Sequence, residues 1–525
     1  MTTFSTVEFL LWLLLAASVV AVITARLRIP YTVALVLGGL ALGSIHLPLI
    51  AQLIQNRPDW LTPDVALVVF LPPLLFEGSL KIQLRHLREN LVPILLLATL
   101  GVFVAAFITA FAVHWAIGLP IAAALVFGAI VAPTDPISVL AIFRSMAVTK
   151  RLEVIVEGES LFNDGTAAVL FGILVGGTAK GGLSVLTGVQ EFLLVVLGGI
   201  ALGLVFGFVI SKITERIDDP QIEITLTTIA AYGSYLVGQS LHVSGVIAVV
   251  ATGLMIGNFG ARVGMSPRTR VSLWSFWEYA AFVINSIVFL LIGLQVRIGD
   301  LVQAWRPALL AVGAVLLGRV LSVYALAPVS NAISEKIPLR WQHVLVAGGL
   351  RGSLSLALAL GLPTNFPYRS QILAMTFGVV AFTIVVEGMS IRPLLRWLGI
   401  SSLKEDEYDR ARVRRAAVLS AQAQLDDLLR ENRISTPAFE LLRRELEQRL
   451  DAAQREVEEA SHRNEDRLRE EIRQARSRLK AAEKSSIEQA LHDGLILQKT
   501  ASAMIEEVDR EPHKPGESDG GGSGR

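Results

Sequence analysis

A chain of 525 residues would ordinarily divide into three or four soluble domains of about 150 residues each, but 53% hydrophobic and only 18% charged residues, with a mean hydropathy of +0.56, exclude that division. Soluble domains carry about 25% charge, and here about half of the charge lies beyond residue 400, so the first four hundred residues read as membrane protein. With 24 Lys+Arg against 19 Asp+Glu before residue 401 and 23 against 27 after it, neither part is a polybasic nucleic-acid binder, and the lack of cysteine removes disulfides, thiolate metal sites and cysteine nucleophiles together.

A bilayer-spanning helix needs about 20 mostly apolar residues. Thirteen such windows occur in chain order, at 5–24, 30–47, 63–80, 91–115, 120–142, 154–176, 189–211, 223–241, 243–260, 274–295, 307–329, 342–361 and 371–391. The second, third and ninth are short or glycine-rich, which leaves twelve as the alternative count. No basic residue precedes the first window and no small-residue cleavage site follows it before Arg26, so it is expected to stay rather than to be removed as a leader. Basic residues sort between alternate loops: Arg26, Arg28, Lys81, Arg85, Arg88, Arg144, Lys150, Arg151, Lys212, Arg216, Arg262, Arg268, Arg270, Lys336, Arg340, Arg392 and Arg396 on one side, against Arg57, Lys180, Arg297, Arg306 and Arg369 on the other. The positive-inside rule makes the first side cytoplasmic, which puts the N-terminus outside, brings the tail into the cytoplasm and favours an odd number of spans in a multi-pass plasma-membrane protein.

From about residue 404 the pattern changes, with Phe439, Leu442, Leu446, Leu450, Ala453, Val457, Ala460, Leu468, Ile472, Ala475 and Leu479 recurring at helical spacing among Arg and Glu. Thr436 before Pro437 reads as an N-cap. A solvated helical pair packing on itself is expected over the tail, residues 397–525, ending in a disordered glycine-rich stretch at Asp519–Arg525. Coiled-coil pairing across a dimer and a regulatory tail are the alternatives.

An acidic residue near the bilayer centre costs on the order of 3 kcal/mol, so each buried charge requires an explanation. Glu77 lies in the third window, Asp135 in the fifth, Glu157, Glu159 and Asp164 in the sixth, and Arg319, Arg351 and Glu387 in the last three. Glu77, Glu157 and Glu387 sit near window edges, where snorkelling excuses them. Asp135 and Asp164 have no such excuse. Ser160 and Asp164 are four residues apart, so a hydroxyl and a carboxylate share one helix face, with Glu159 and Asn163 on the adjacent one. Such a pair suits a proton or a hard cation; its other reading is a buried helix-to-helix anchor. Pro133 and Pro136 bracket Asp135 and interrupt the fifth window, and Gly348, Gly349 and Gly352 weaken the twelfth around Arg351. Two broken, oppositely oriented spans are the pattern of inverted repeats crossing at an ion site. His46, His86, His114, His242 and His343 match no metal spacing.

The runs LPPLLFEGS, APTDPISV, VEGESLFNDGTA and GGLRGSLSLALAL, at residues 71–79, 132–139, 156–167 and 348–360, resemble the signature segments of NhaP-type sodium/proton antiporters, in the monovalent cation:proton antiporter-1 family. The resemblance covers residues 1 to about 395. It implies thirteen helices in an all-α membrane fold, with a core at about 91–176 and 307–391 that moves against a dimerisation part at about 1–80 and 189–295 of a membrane domain spanning residues 1–396. It also implies that Asp164 exchanges ion and proton, with oxygens from Ser160, Thr134, Glu77 and Asp135. Asn163 would tie the broken helices together, Glu159 would pair with Arg351, and Arg319 would serve a structural role, with Glu157 as one partner open to it. No cofactor or nucleic acid is implied; the ligands are Na+ and H+, and the partners are lipid, a second copy and a possible regulatory contact of the tail.

An intramembrane aspartyl protease would need a Gly-x-Gly-Asp motif, and Gly299-Asp300 lacks the first glycine. A channel favours a pore loop, whereas these acids are dispersed over several spans. The reading is a secondary antiporter exchanging sodium or lithium for protons, electroneutral at one for one, with potassium/proton exchange as the near alternative and a cation channel as the distant one.

Overall fold

The computed structural model describes residues 3–27, 31–44, 63–179, 185–217, 219–261, 265–295, 305–400, 403–430 and 433–462, with a few isolated positions beyond. Gly299, Asp300, the loop residues Arg57, Lys180, Arg262 and Arg297, the tail from Leu468 to Leu479 and the glycine-rich end lie outside the described residues. Every regular element among the described residues is a helix. In chain order these are α1 Thr3–Leu27, α2 Tyr31–Ser44, α3 Pro63–Lys81, α4 Leu84–Glu89, α5 Leu91–Ile117, α6 Ile121–Ile130, α7 Ile137–Ser145, α8 Lys150–Ala179, α9 Val185–Thr214, α10 Pro220–Ser240, α11 Gly245–Gly260, α12 Pro267–Gln295, α13 Trp305–Ile333, α14 Leu339–Ala347, α15 Ser353–Leu360 and α16 Arg369–Trp397. A helix or a broken helix pair lies over each of the thirteen windows, and α5, α8, α9, α12, α13 and α16 are long and apolar enough to cross a membrane.

Residues Met1–Ser401 form one compact unit and Ser402–Arg525 a second. The boundary falls a few residues past the expected one because the chain after α16 still buries Leu398. Within the first unit, α5 packs on α6 and α13, and α13 on α16; α2 packs on α12, and α11 on α3 and α9. Small residues set how near the backbones come. A Cβ on Gly39 of α2 would stand 2.9 Å from the Gly293 Cα of α12, so at that crossing the two helices touch main chain to main chain. Trp277 of α12 is fully buried; its indole donates to Thr227 Oγ1 of α10 at 3.1 Å and its ring lies 4.6 Å from that of Phe76, fixing α3 one residue before Glu77. Local caps follow sequence: the Asp219 carboxylate accepts from the Gln221 and Ile222 amides at 2.9 and 3.1 Å, with Pro220 opening α10.

In the second unit, α17 Leu403–Arg430 and α18 Thr436–His462 pack together. Ala411, Val418 and Leu425 of α17 are buried at seven-residue spacing, Phe439 and Ala453 of α18 are buried fourteen residues apart, and Arg414 meets Glu456 at 2.7 Å across the pair. The Ser435 carbonyl accepts from the Phe439 amide at 3.0 Å, so Ser435 is the N-cap and Thr436 already belongs to the first turn, one residue off the expected cap.

Candidate functional site

Two helix breaks meet inside the first unit. After Ile130 the chain leaves helical geometry through Pro136, because Pro133 and Pro136 have no amide to donate; α14 ends at Ala347 and the chain stays non-helical through Gly352. The two strips cross and bond to each other. The Asp135 amide donates to the Leu350 carbonyl at 2.7 Å and Arg351 Nε to the Val131 carbonyl at 2.8 Å. Backbone groups freed by the breaks thus find protein partners.

α8 runs beside this crossing and docks on Thr134. Ser160 Oγ donates to the Thr134 carbonyl, Asn163 Nδ2 donates to Thr134 Oγ1 at 2.7 Å, and Asn163 Oδ1 accepts from the Thr134 amide at 3.3 Å. The face of α8 carrying Glu157, Ser160 and Asp164 borders a cavity of about 290 Å³, whose wall also includes Thr134 and Asp135 of the first break, Gly352 and Ser353 of the second, and Glu77, Lys81 and Glu278 from α3 and α12. Helical spacing explains the sorting, since Glu159 and Asn163 point elsewhere and do not line the cavity. Asp164 lies deep in the unit, is partly exposed on the cavity side, and receives no hydrogen bond from the described residues. Asp135 uses Oδ1 to accept from the Ile137 amide at 3.0 Å, capping α7, while its Oδ2 is buried without a donor among the described residues. Asp135 and Asp164 border the same cavity. Glu77 is held at 2.6 Å from Lys81.

The Asp135 carboxylate rests against the Cα of Gly352, and a Cβ there would collide with it. Gly352→Ala is therefore expected to displace Asp135 and lower transport at least about ten-fold with little loss of folded protein, since displacing a site group by 1 Å costs up to 10²-fold. Transport assays on the detergent-monodisperse variant check this; wild-type rates would show that Asp135 need not be held there.

The ion pair expected between Glu159 and Arg351 is not formed. Glu159 is gripped by Arg319, whose NH1 meets Oε1 and whose NH2 donates to Oε2 at 3.1 Å, with Nε and NH2 also on the Leu345 carbonyl at 3.2 and 2.7 Å. Arg351 instead serves carbonyls: those of Val131 and Gly349, while its amide donates to Thr383 Oγ1 at 3.1 Å. The end of α6 leaves carbonyls that need donors, and Arg351, on the crossing strip, supplies one to Val131. Nor does Arg319 take Glu157, which lines the cavity. Glu387 is buried where α16 makes a π-helical turn over Thr383–Glu387. None of the described histidines lines the cavity. Lys81 and Glu278 were missed; only the four-residue step from Glu77 to Lys81 signalled the first of them.

A family profile described as sodium/hydrogen exchanger, transmembrane, matches residues 13–397. The chain belongs to the sodium/hydrogen exchanger family. It is 43% identical over 406 residues to the Na+/H+ antiporter ApNhaP of Aphanothece halophytica, 76% of each chain, and 42% identical over 407 residues to the Na+/H+ antiporter NhaG of Bacillus atrophaeus, 75% of this chain and 76% of that one. The solved structure of the sodium proton antiporter MjNhaP1 from Methanocaldococcus jannaschii superposes with a TM-score of 0.62 at 22% identity, covering 75% of this chain and 98% of that one, which establishes a shared helical fold. As a member of this exchanger family the chain is a membrane transporter and not an enzyme. Its matched region spans both helix breaks and all the cavity acids.

Proposed function

We propose that this exchanger moves sodium or lithium against protons, one for one, with ion and proton competing for Asp164. One observation carries the reading: a deep carboxylate that receives no protein hydrogen bond from the described residues, next to a hydroxyl, on the wall of a cavity formed where two broken helices cross. A carboxylate, a hydroxyl and a main-chain carbonyl are hard oxygens, matched to a monovalent alkali cation. Ser160 and the Thr134 carbonyl supply the neutral oxygens, Glu77 faces them from α3, and Asp135 completes the shell. The antiporter names of the relatives favour sodium; potassium in its place needs only a wider shell of the same oxygens. Acids dispersed over several helices around one cavity favour a transporter over a channel. Alternating access moves the core at about 91–176 and 307–391 against the dimerisation part, in a homodimer of the plasma membrane whose N-terminus lies outside and whose tail is cytoplasmic.

One charge in for one out follows from the neutral Asn163 and from Glu159 being committed to Arg319. In proteoliposomes clamped with potassium and valinomycin, sodium-driven proton movement is expected to ignore imposed voltage. A steady-state rate that shifts with voltage would mean that Asp135 or Glu77 exchanges a second proton. A parallel series with lithium or potassium replacing sodium, without ionophore, reports the cation preference.

A further inference from the structure

The described cations around the cavity are unequally engaged. Arg144 and Lys150 both hold Glu153, at 3.4 and 2.9 Å. Lys81 alone among the described cations is paired with acids of the cavity wall: its Nζ is 2.6 Å from Glu77 Oε1 and 3.6 Å from Glu278 Oε2. Glu77 and Lys81 sit one helical turn apart on α3, the glutamate on the N-terminal side, which is the favourable order for such a pair. Their side chains are only 21% and 25% exposed, whereas that of Glu278, on α12, is 66% exposed.

We infer that Lys81 is a tethered competitor for the transported cation, its ammonium occupying Glu77 when no ion is there and moving onto Glu278 when one binds. This deepens the antiport reading and rests on it. A carboxylate against an ammonium satisfies the same electrostatic demand that a sodium ion would, so the two cannot both be fully held by Glu77. The alternative seat already lies within reach, since 3.6 Å exceeds a charged hydrogen bond by less than about 1 Å. An ammonium has three donors and can pass between two carboxylates without being stranded in an apolar wall. Because it is intramolecular, the competitor acts at high effective concentration and raises the sodium level at which the site fills. The seat on Glu278 keeps the displaced charge compensated, and without it ion binding would leave an unpaired ammonium at the cavity.

Each single variant shifts KM in the direction that a simple negative mouth would also give, so the double variant carries the test. Sodium KM is measured in proteoliposomes at fixed ionic strength, choline replacing sodium. Lys81→Gln is expected to lower KM about three- to five-fold, the range that an incompletely buried pair of this kind allows. Glu278→Gln is expected to raise KM about two- to three-fold, and Lys81→Gln/Glu278→Gln to match Lys81→Gln alone, because a parking site has no value without the ammonium. Lys81→Arg, which keeps the charge, stays within two-fold of wild type by the same range of pair strengths, at about that precision. A double variant whose KM is the product of the two single effects would reduce both residues to independent contributions to the local field and overturn the switch. An unchanged KM in Lys81→Gln would overturn it as well; should that variant not reach the membrane, an unchanged KM in Glu278→Gln decides the same way. Wild-type protein that moves no protons in response to sodium would refute the antiport reading itself, whereas active wild type with unaltered variants refutes only the switch.

Discussion

Asp164→Asn is expected to reduce sodium-driven proton movement to the level of empty liposomes while the protein inserts, purifies and melts like wild type. The two halves of this expectation have one cause. Asp164 receives no hydrogen bond from the described residues and is partly exposed to the cavity, so its replacement by an isosteric amide leaves no protein group unpaired and no space to fill. What disappears is the negative charge that draws a desolvated cation and the oxygen that accepts the returning proton. Neighbouring Asn163 offers the contrast: its amide holds Thr134 on both sides, so Asn163→Ala should disturb the helix break and lower stability together with transport. Asp164→Glu keeps the charge but moves it by about one C–C bond, 1.5 Å, and should retain weak exchange with a raised sodium KM. Proteoliposome flux and detergent melting curves, measured on the same preparations, separate these outcomes. Near-normal flux in Asp164→Asn would remove this residue from the transport path.

The elements that carry the site could be read from the sequence because local rules produce them. Pro133 and Pro136 each withdraw a backbone donor within four residues of one another, and Gly348, Gly349 and Gly352 make the second break easy, so two interrupted helices were expected where two are found. The sharing of a cavity face by Ser160 and Asp164 follows from a four-residue step. The pairing of Glu159 was not legible, because the choice between Arg319 and Arg351 is tertiary: the partner found is 160 residues away, on a helix whose rotation no local pattern fixes. Both arginines lie in glycine-rich stretches of apolar sequence, and a Cβ on Gly349 would stand 2.9 Å from each side chain, so the two guanidiniums flank one point. Which takes the carboxylate depends on the carbonyls nearby. The role of Lys81 stayed hidden for a similar reason, since Glu278 approaches it from a helix almost two hundred residues later in the chain.

That competition between arginines yields the largest expected loss of stability. Glu159 and Arg319 are both buried, at 2% and 7% exposure, and Arg319 supplies two donors to the carboxylate. Removing one partner of such a pair strands the other charge at a cost of about 3–5 kcal/mol. Arg319→Ala should therefore melt well below wild type, and Glu159→Gln should fall less, because Arg319 keeps the Leu345 carbonyl. Arg351→Ala removes donors from the Val131 and Gly349 carbonyls, where a charged donor is worth about 1.5–3 kcal/mol, so it should be destabilising but leave Glu159 paired. Both arginines are buried, so a double-mutant cycle is the measurement that separates these cases. Glu159→Gln combined with Arg319→Ala should be much less damaging than the sum of the two, as the stranded charges are removed together. Combined with Arg351→Ala, Glu159→Gln should be close to additive. Equal coupling to both arginines would mean that Glu159 is shared between them, and stronger coupling to Arg351 would restore the pairing that the motif resemblance implies.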